Sequence, residues 1–577
     1  MKINRIKLLK KIRGQLKPFK FSIITLFVTA ALAIPISLIS PKMFQILIDE
    51  VLYARQSDKF LYVALGLLFV YGCRFILDSL NLYFGNKLLN GFTYNLRVLL
   101  WKRITGTYFS NIEKRSTGDL KMRMVDDVDS IGSFVKEQIV DYIFNIVLVC
   151  VCFYLIASIN ITMTLYCIWV VPAMFLINYL IAKGAKKINE QVRTLNQEYY
   201  TSTHNSLQLW REIKIQNAEA IFINKFRLFR EKLAVLGFKS IRYWFYTEVF
   251  SDFKSNYLSK VLIYIIGAFF IIKGEISVGI LIMYAEYFEI MFNAFDTVNI
   301  RNAAIKSNTP YYKRIFETIE FPQEDATETK EFVFNEAIDV DFSSFCYPNN
   351  EKDVLHSIKL HINKGDYLSI IGESGCGKTT LIKLLLGLYK VSNGAIKYDN
   401  TGIENISKED LYKHIGVVMQ DSFLFNMSIR ENISISSENI TDADLKEACE
   451  KADIYDFINM LPNGLDTVIG EQGIKLSGGE KQRLCIARAL MKKPELIIFD
   501  EATSSLDKHS EDIVYEAINN IAKDTTVIVI SHKPSAILRA KTIVVMQDGS
   551  ITEIGLKNEI SKINEFYKAI LEGAGMK

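Results

Sequence analysis

The sequence predicts a two-part fold: a six-helix α-helical transmembrane domain with long cytosolic helix extensions, followed by an α/β domain on a mostly parallel sheet. Three observations predict it. Half of the 577 residues are apolar, rich for a wholly soluble chain and lean for a wholly membrane-embedded one. Long apolar runs recur up to about residue 300 and then stop. From about residue 335, short β-rich runs alternate with helical patterns, the order that packs helices on a parallel sheet.

The first twenty residues, "MKINRIKLLKKIRGQLKPFK", carry many Lys and Arg and no acid, with Ile3, Ile6, Leu9 and Leu16 on a partial apolar face. They read as an amphipathic helix on an anionic cytoplasmic membrane surface. A signal peptide fits less well, because no small-residue cleavage site follows. Apolar segments near 21–46, 58–84, 139–159, 161–183, 249–273 and 276–299 each approach the ~20 residues that a spanning helix needs. Short connections such as "KGEIS" join the first and second, third and fourth, and fifth and sixth. Long basic connections join the others, so the N-terminus and those connections belong inside. "LRVLLWKRITGTYF" and "EIKIQNAEAIFINKFRLF" keep a helical pattern, so the helices run on into the cytosol. The transmembrane domain is assigned to 21–310, a polar linker to 311–334 and the α/β domain to 335–577. A net charge of +4 gives no global reason to expect a nucleic-acid partner. The eight cysteines lack paired spacing and read as reduced, none of them a metal ligand.

In the α/β domain, "GESGCGKTT" follows the strand "YLSII" and opens the helix "TTLIKLLLGL". Gly372, Ser374, Gly375, Cys376 and Gly377 form a loop whose backbone N–H groups can curl round phosphate oxygens. Lys378 is placed for the β- and γ-phosphates, the Thr379 hydroxyl for Mg²⁺, and Thr380 continues the helix start, whose partial positive charge adds to the site. "LIIFDE" delivers Asp500 and Glu501 from a strand end. Asp500 would hold Mg²⁺ through water, and Glu501 would polarise the attacking water, since phosphoryl transfer rests on positioning and charge stabilisation.

"LSGGEKQR", between these two motifs, brings the chain to a family. The sequence resembles the ATP-binding cassette exporters that fuse a membrane domain and a nucleotide-binding domain in one chain, and the resemblance covers almost its whole length. It implies an α/β P-loop ATPase domain with a helical subdomain, using ATP and Mg²⁺. By resemblance, Ser477, Gly478 and Gly479 are signature groups facing a γ-phosphate. Tyr347 in "FCYPNN" stacks on adenine, and Gln420 in "VVMQDSFLF" senses Mg²⁺ and the membrane domain. Asp507 ends "SSLD", and His532 in "VISHKPS" contacts the γ-phosphate. "TVIGEQG" resembles the exporters' X-loop. Lys533, Pro534 and Ser505 depart from the usual pattern without removing a catalytic group. "RSTGDLKMRMVDDVDSI" and "LQLWREIKIQNAE" resemble the intracellular connections, with coupling helices at Phe109–Thr117 and Ser206–Gln216.

What the resemblance implies for function is ATP-driven export of a peptide, antibiotic or amphipathic drug by alternating access. The expected setting is membrane lipid of a bacterial cell membrane, crossed several times, with the N-terminus and nucleotide domain cytoplasmic. One chain carries one cassette, so a second half-transporter subunit is needed; the complete catalytic set favours a homodimer over a heterodimer. A lipid or lipid-linked-sugar flippase shares the fold. An ATP-gated channel or regulator is a third reading, against which the intact Glu501 counts. The first spanning segment begins within twenty residues, leaving no room ahead of it for the cysteine peptidase of some peptide exporters.

"LIMYAEYFEIMFNAFD" poses a separate question, because carboxylates at bilayer depth are costly. Glu286, Glu289, Asn293 and Asp296 share one helical face. At 1.5 Å per residue from Ile276, Glu286 is about 15 Å deep and Asp296 about 30 Å. Two readings stand. The carboxylates pair within the subunit, with Lys260 the candidate partner since Arg74 already has Asp78 four residues on. Alternatively they line a cavity, walled by Tyr284, Tyr287, Phe288 and Phe292, that takes cationic amphipathic cargo.

Overall fold

The structure is a computed structural model that describes residues 14–568 except 170–187, 189–190, 193, 197, 204, 253–256, 258, 308, 325–329, 349, 351, 421–422, 437–439, 471–475, 503–507, 532 and 565. Its contacts divide the chain into one unit of Met1–Arg103 with Thr117–Glu320, and another of Ile104–Ser116 with Phe321–Lys577.

The first unit is helical. Helix α1, Lys20–Ile46, contains Pro35 and Pro41 and runs into a π-helical turn, Leu47–Tyr53. A proline lacks the N–H that continues the helical ladder, and a membrane helix tolerates that where neighbours resupply the bonds. Helix α2, Asp58–Thr105, has 48 residues, about 70 Å at 1.5 Å per residue, so it overruns a ~30 Å hydrocarbon core. After α3 (Phe109–Glu113) and α4 (Thr117–Met122), a π-helical stretch Arg123–Asp127 leads into α5, Val128–Ile159. Then follow α6 (Ile161–Ile168), α7 (Trp210–Ile215), α8 (Glu219–Asp252), α9 (Ser259–Ile272), α10 (Val278–Ser307) and α11 (Thr309–Ile319). Large apolar side chains such as Phe21, Leu65, Phe69 and Phe75 face outward on α1 and α2, as lipid as solvent requires.

Among the described residues, four helices are long and apolar enough to cross a membrane: Gly14–Tyr53, Asp58–Thr105, Asp141–Ile159 and Val278–Asn302. Lys260–Ile272 is a shorter apolar helix. The fourth expected segment, 161–183, lies largely outside the described residues, as do residues 1–13 of the amphipathic N-terminus; Lys17–Phe19 is a 3₁₀ turn with Pro18 inside it. The expected linker from 311 is corrected: its first part is α11, grouped with the first unit and packed through Tyr312, Ile315 and Ile319. Its charged residues hid an apolar row.

Two polar side chains on these helices, half-buried at Arg74 and Asp49, are tied into hydrogen-bonded groups. Arg74 of α2 bonds Asp78 (2.9 Å), the Ser37 hydroxyl (2.7 Å) and the Ala33 carbonyl (3.3 Å). Asp49 closes the start of α10 by accepting from the Ser277 hydroxyl (2.5 Å) and the Gly279 N–H (2.9 Å), an acid at a positive helix end.

The second unit carries two sheets. One is antiparallel, in the order β2 (Leu355–Asn363), β1 (Ala337–Phe345), β4 (Asn393–Tyr398), β5 (Thr401–Gly402). The other runs β10 (Ser550–Leu556), β9 (Thr542–Gln547), β3 (Tyr367–Gly372), β8 (Thr526–Ile530), β7 (Leu496–Asp500), β6 (Ile415–Val418), parallel except for β10. Strands β3, β7 and β8 are buried throughout, as a sheet covered on both faces requires. This is the expected mostly parallel α/β fold. Helix α12 (Lys378–Leu385) follows β3. Between β6 and β7 lie the helices α13 (Ile429–Ser434), α14 (Asp442–Lys451), α15 (Tyr455–Met460) and α16 (Gly478–Leu490), which supply the helical subdomain. Helices α17 (Lys508–Ile521) and α18 (Pro534–Ile537) flank β8.

Candidate functional site: the phosphate loop and its carboxylates

Strands β3 and β7 end on the same edge of the parallel sheet with β8 between them, so both loops lie at the carboxyl ends where α/β folds bind ligands. Two glycines are forced. A Cβ on Gly372 would stand 2.2 Å from the Met546 carbonyl, and one on Gly377, at φ 101°, 2.4 Å from Leu355. Lys378 is buried, and its ammonium donates to the carbonyls of Gly372 and Glu373, both at 2.8 Å. The loop therefore closes round its own cation. Cys376 is 7% exposed and belongs to the apolar cluster beneath the loop, with Sγ 3.9 Å from the Lys378 ammonium.

Asp500, 4% exposed, accepts a hydrogen bond from Thr379. Burial, then the like charge of Glu501, pushes its carboxyl above the ordinary range, while Thr379, Lys378 and Lys383 oppose the rise. A buried carboxylate against a hydroxyl is a hard oxygen pair that fits Mg²⁺. Glu501 follows with φ 47°, and its N–H donates to the Ile530 carbonyl at 3.0 Å. Left-handed backbone on a non-glycine residue is uncommon and clusters at functional sites. The Gln420 amide donates to Glu501 Oε2 at 2.9 Å, so these two side chains meet although 81 residues separate them.

Tyr347 shares a hydrogen bond with the Thr380 hydroxyl (3.0 Å), and its ring meets Tyr389 edge-on at 5.1 Å. Ser477 is the N-cap of α16 in a capping box: its hydroxyl accepts from the Glu480 N–H, and Glu480 reaches back to the Ser477 N–H at 2.7 Å. Ser477 and Gly478 are exposed and Gly479 is buried, where an added Cβ would crowd Ser510 at 3.1 Å. Asp507, His532, Ser505 and the last three residues of the X-loop segment "TVIGEQG" lie outside the described residues. Beside His532, Lys533 pairs with Glu511 of α17 at 2.6 Å, and Pro534 occupies the first turn of α18, where a missing N–H costs nothing. Glu511, which also accepts from Ser535, was not singled out by its sequence context.

The short segment α3 stands at the first expected coupling helix but ends at Glu113 rather than running to Thr117; the second, α7, covers Trp210–Ile215 rather than Ser206–Gln216. Sequence reasoning also missed Glu113 itself, and Lys383, which reaches it.

The acidic stripe on α10 resolves unevenly. Lys260 lies 2.8 Å from Glu289. Glu286 and Asp296 are half-buried, and Asn293 is exposed. The expected aromatic walls do not form: Tyr284, Tyr287, Phe288 and Phe292 pack into the core of their own subunit with residues of α5, α6 and α9. The Tyr284 hydroxyl donates to Thr164 at 3.2 Å and that of Tyr287 to the Leu38 carbonyl at 2.8 Å. The rings fall on the opposite face of α10 from the carboxylates because they alternate with them at helical spacing.

Comparison with known proteins finds relatives over nearly the whole chain. Residues 355–504 match the model of the ABC transporter family, and residues 23–295 match that of the ABC transporter transmembrane region. "Putative multidrug export ATP-binding/permease protein YgaD" of Bacillus subtilis (strain 168) is 28% identical over 572 residues, 97% of this chain and 98% of that protein. The protein of the same designation, SAV1866, of Staphylococcus aureus (strain Mu50 / ATCC 700699) is 28% identical over 570 residues, 96% of this chain and 97% of its own. In fold, the chain is similar to a bacterial Atm1-family ABC exporter solved with ATP bound, with a TM-score of 0.83, 24% identity and coverage of 97% of this chain and 99% of that one.

Proposed function

The chain belongs to the ABC transporter family, an ATPase coupled to transport, and on that premise we propose that it exports cationic amphipathic compounds from the cytoplasm as a homodimer in the cell membrane. The observation that carries the chemistry is the cluster of Thr379, Asp500, Glu501 and Gln420 at one edge of the parallel sheet. Lys378 and the loop N–H groups hold the phosphates, and the ring of Tyr347 takes the adenine. Thr379, Asp500 and Gln420 would hold Mg²⁺, which neutralises charge on the phosphate oxygens when bound. Glu501 polarises the attacking water, and Gln420, bonded to its carboxylate, fixes where that carboxylate points. Ser477 and the exposed start of α16 offer a hydroxyl, backbone donors and a positive helix end to the γ-phosphate held by the other subunit's loop. By the family resemblance, His532 and Asp507 would act at that shared site. ATP thus binds tightly only to closed cassettes, which biases the membrane halves outward, and hydrolysis removes the bias.

The curated relatives are named for multidrug export, which supports amphipathic cargo. Purified protein in liposomes, given ATP and a fluorescent cationic dye in the outer medium, tests the reading. Dye should accumulate in inside-out vesicles, and the Glu501→Gln protein should not move it. ATP-dependent scrambling of labelled lipid without dye uptake would assign a flippase instead.

A further inference from the structure

Lys383 sits in the last turn of α12, the helix opened by the phosphate loop, in the otherwise apolar run "LIKLLLGL". Its side chain is only 19% exposed. The ammonium lies 2.8 Å from Glu113 Oε1 of α3 and over the rings of Tyr347 (5.6 Å), Phe109 (5.8 Å) and Tyr389 (6.0 Å). The other oxygen of the same carboxylate accepts from the Tyr389 hydroxyl. Phe109 and Tyr389 meet edge-on at 5.9 Å. Tyr347 is tied to Thr380, three residues before Lys383 on the same helix.

One cation thus holds together three elements with different duties: α12 behind the phosphates, the ring read as the adenine platform, and α3, which the chain joins to α2 on one side and α4 on the other. We propose that Lys383 is a positioning residue that couples nucleotide docking to the membrane half, by linking the Tyr347 ring to Glu113. A base stacked on Tyr347 re-aims that ring. Cation–π attraction depends on where the charge lies over the ring face, so the ammonium follows, and the ion pair carries the shift to α3. Two carboxylate oxygens engaged by different donors give Glu113 a fixed orientation, so α3 responds as a unit. The inference rests on the proposed roles of Tyr347 and of α3.

Hydrogen–deuterium exchange of the full chain in liposomes, with and without ATP and vanadate, tests it, because cassette and membrane helices are read separately in one sample. In the unaltered protein both should gain protection. In Glu113→Gln the cassette response and ATP affinity should stay within about twofold, while the response of α2 and α5 falls about fivefold or more. Lys383→Met should do the same, and the double variant should be no worse than either single one, since both remove one link. Exchanging the charges, Glu113→Lys with Lys383→Glu, should regain part of the membrane response. A full membrane response in Glu113→Gln, or additive losses in the double variant, overturns the proposal. So does loss of the cassette response in every variant, which makes the cluster an anchor only. An unaltered cassette that ignores ATP would instead defeat the reading under Proposed function, and this one with it.

Discussion

Glu501 occupies a backbone conformation that a non-glycine residue adopts at a cost, and Gln420 meets its carboxylate. Glu501→Gln keeps the size and the strained turn but removes the charge. Steady-state hydrolysis should fall by about 10²–10⁴, the usual worth of a positioned base, with ATP affinity retained; radiolabelled phosphate release and nucleotide binding on one preparation check both. Asp500 titrates above the ordinary range because it is buried beside Glu501. Protons compete with Mg²⁺ for it, so Mg²⁺-dependent ATP affinity should begin to fall, as pH is lowered, at a higher pH than a free aspartate would set. Affinity that is flat until the pH of an unperturbed carboxylate would refute this. Cys376 lies under the phosphate loop, not at its mouth. Maleimide labelling should be slow, ATP should slow it further, and each labelled chain should lose ATPase activity; full labelling with full activity, read by mass spectrometry, would make the thiol a space-filler. The motif residues were legible because the loop, the strand ends and the signature each carry a local spacing rule. The Lys533–Glu511 pair was not, because no rule links positions 22 residues apart.

At the scale of elements, α11 shows what composition conceals. "TPYYKRIFETI" is rich in charge, yet Tyr312, Ile315 and Ile319 recur at helical spacing and are buried. One of its charges, Arg314, is not solvated decoration either. Arg314 makes a bidentate pair with Asp127, at 2.7 and 2.5 Å, and Asp127 is fully buried. Arg123, itself buried, donates to Thr318 (3.1 Å), the Arg314 carbonyl (2.9 Å) and Asp119 (2.9 Å). Sequence could not show this, since 187 residues part Arg314 from Asp127 and pairing across such a distance follows only from the fold. Removing one partner leaves the other charge buried without compensation. Arg314→Ala should therefore destabilise the first unit by about 3–5 kcal/mol. Thermal unfolding in detergent, with Asp127→Asn added in the same chain, checks it: the double variant should be less destabilised than the sum of the singles. Equal, additive losses would mean that the pair is not coupled.

For the whole molecule, the membrane unit was legible as apolar lengths and the nucleotide unit as ordered motifs, but which face of a membrane helix looks inward was not. Charge and aromaticity on α10 both suggested the cavity, and they point in different directions. The rings close the subunit's own core, while the carboxylates stand half-buried on another face. The two glutamates also differ. Glu289 has Lys260 at 2.8 Å, so its charge is matched inside the unit. Glu286 stands one turn away and is half-buried; it shares the field of the same Lys260, whose ammonium is in contact with Glu289, so at that depth water or a cationic visitor can add to its compensation. The two readings of the stripe therefore divide between neighbouring residues and can be tested apart. Glu289→Gln takes from Lys260 the carboxylate in contact with it and leaves only the field of Glu286, so folded yield and basal ATPase should drop together. Adding Lys260→Met, which keeps the apolar stem and removes the charge, should restore both. Glu286→Gln should leave yield and basal ATPase near those of the unaltered protein. What should fall is stimulation by a cationic dye, with stimulation by a neutral analogue of the same shape unchanged. If Glu286→Gln alone collapses the yield, the carboxylate is part of the fold. If dye stimulation survives it intact, the charge on α10 does not read cargo, and the preference for cationic substrates falls while ATP-driven transport stands.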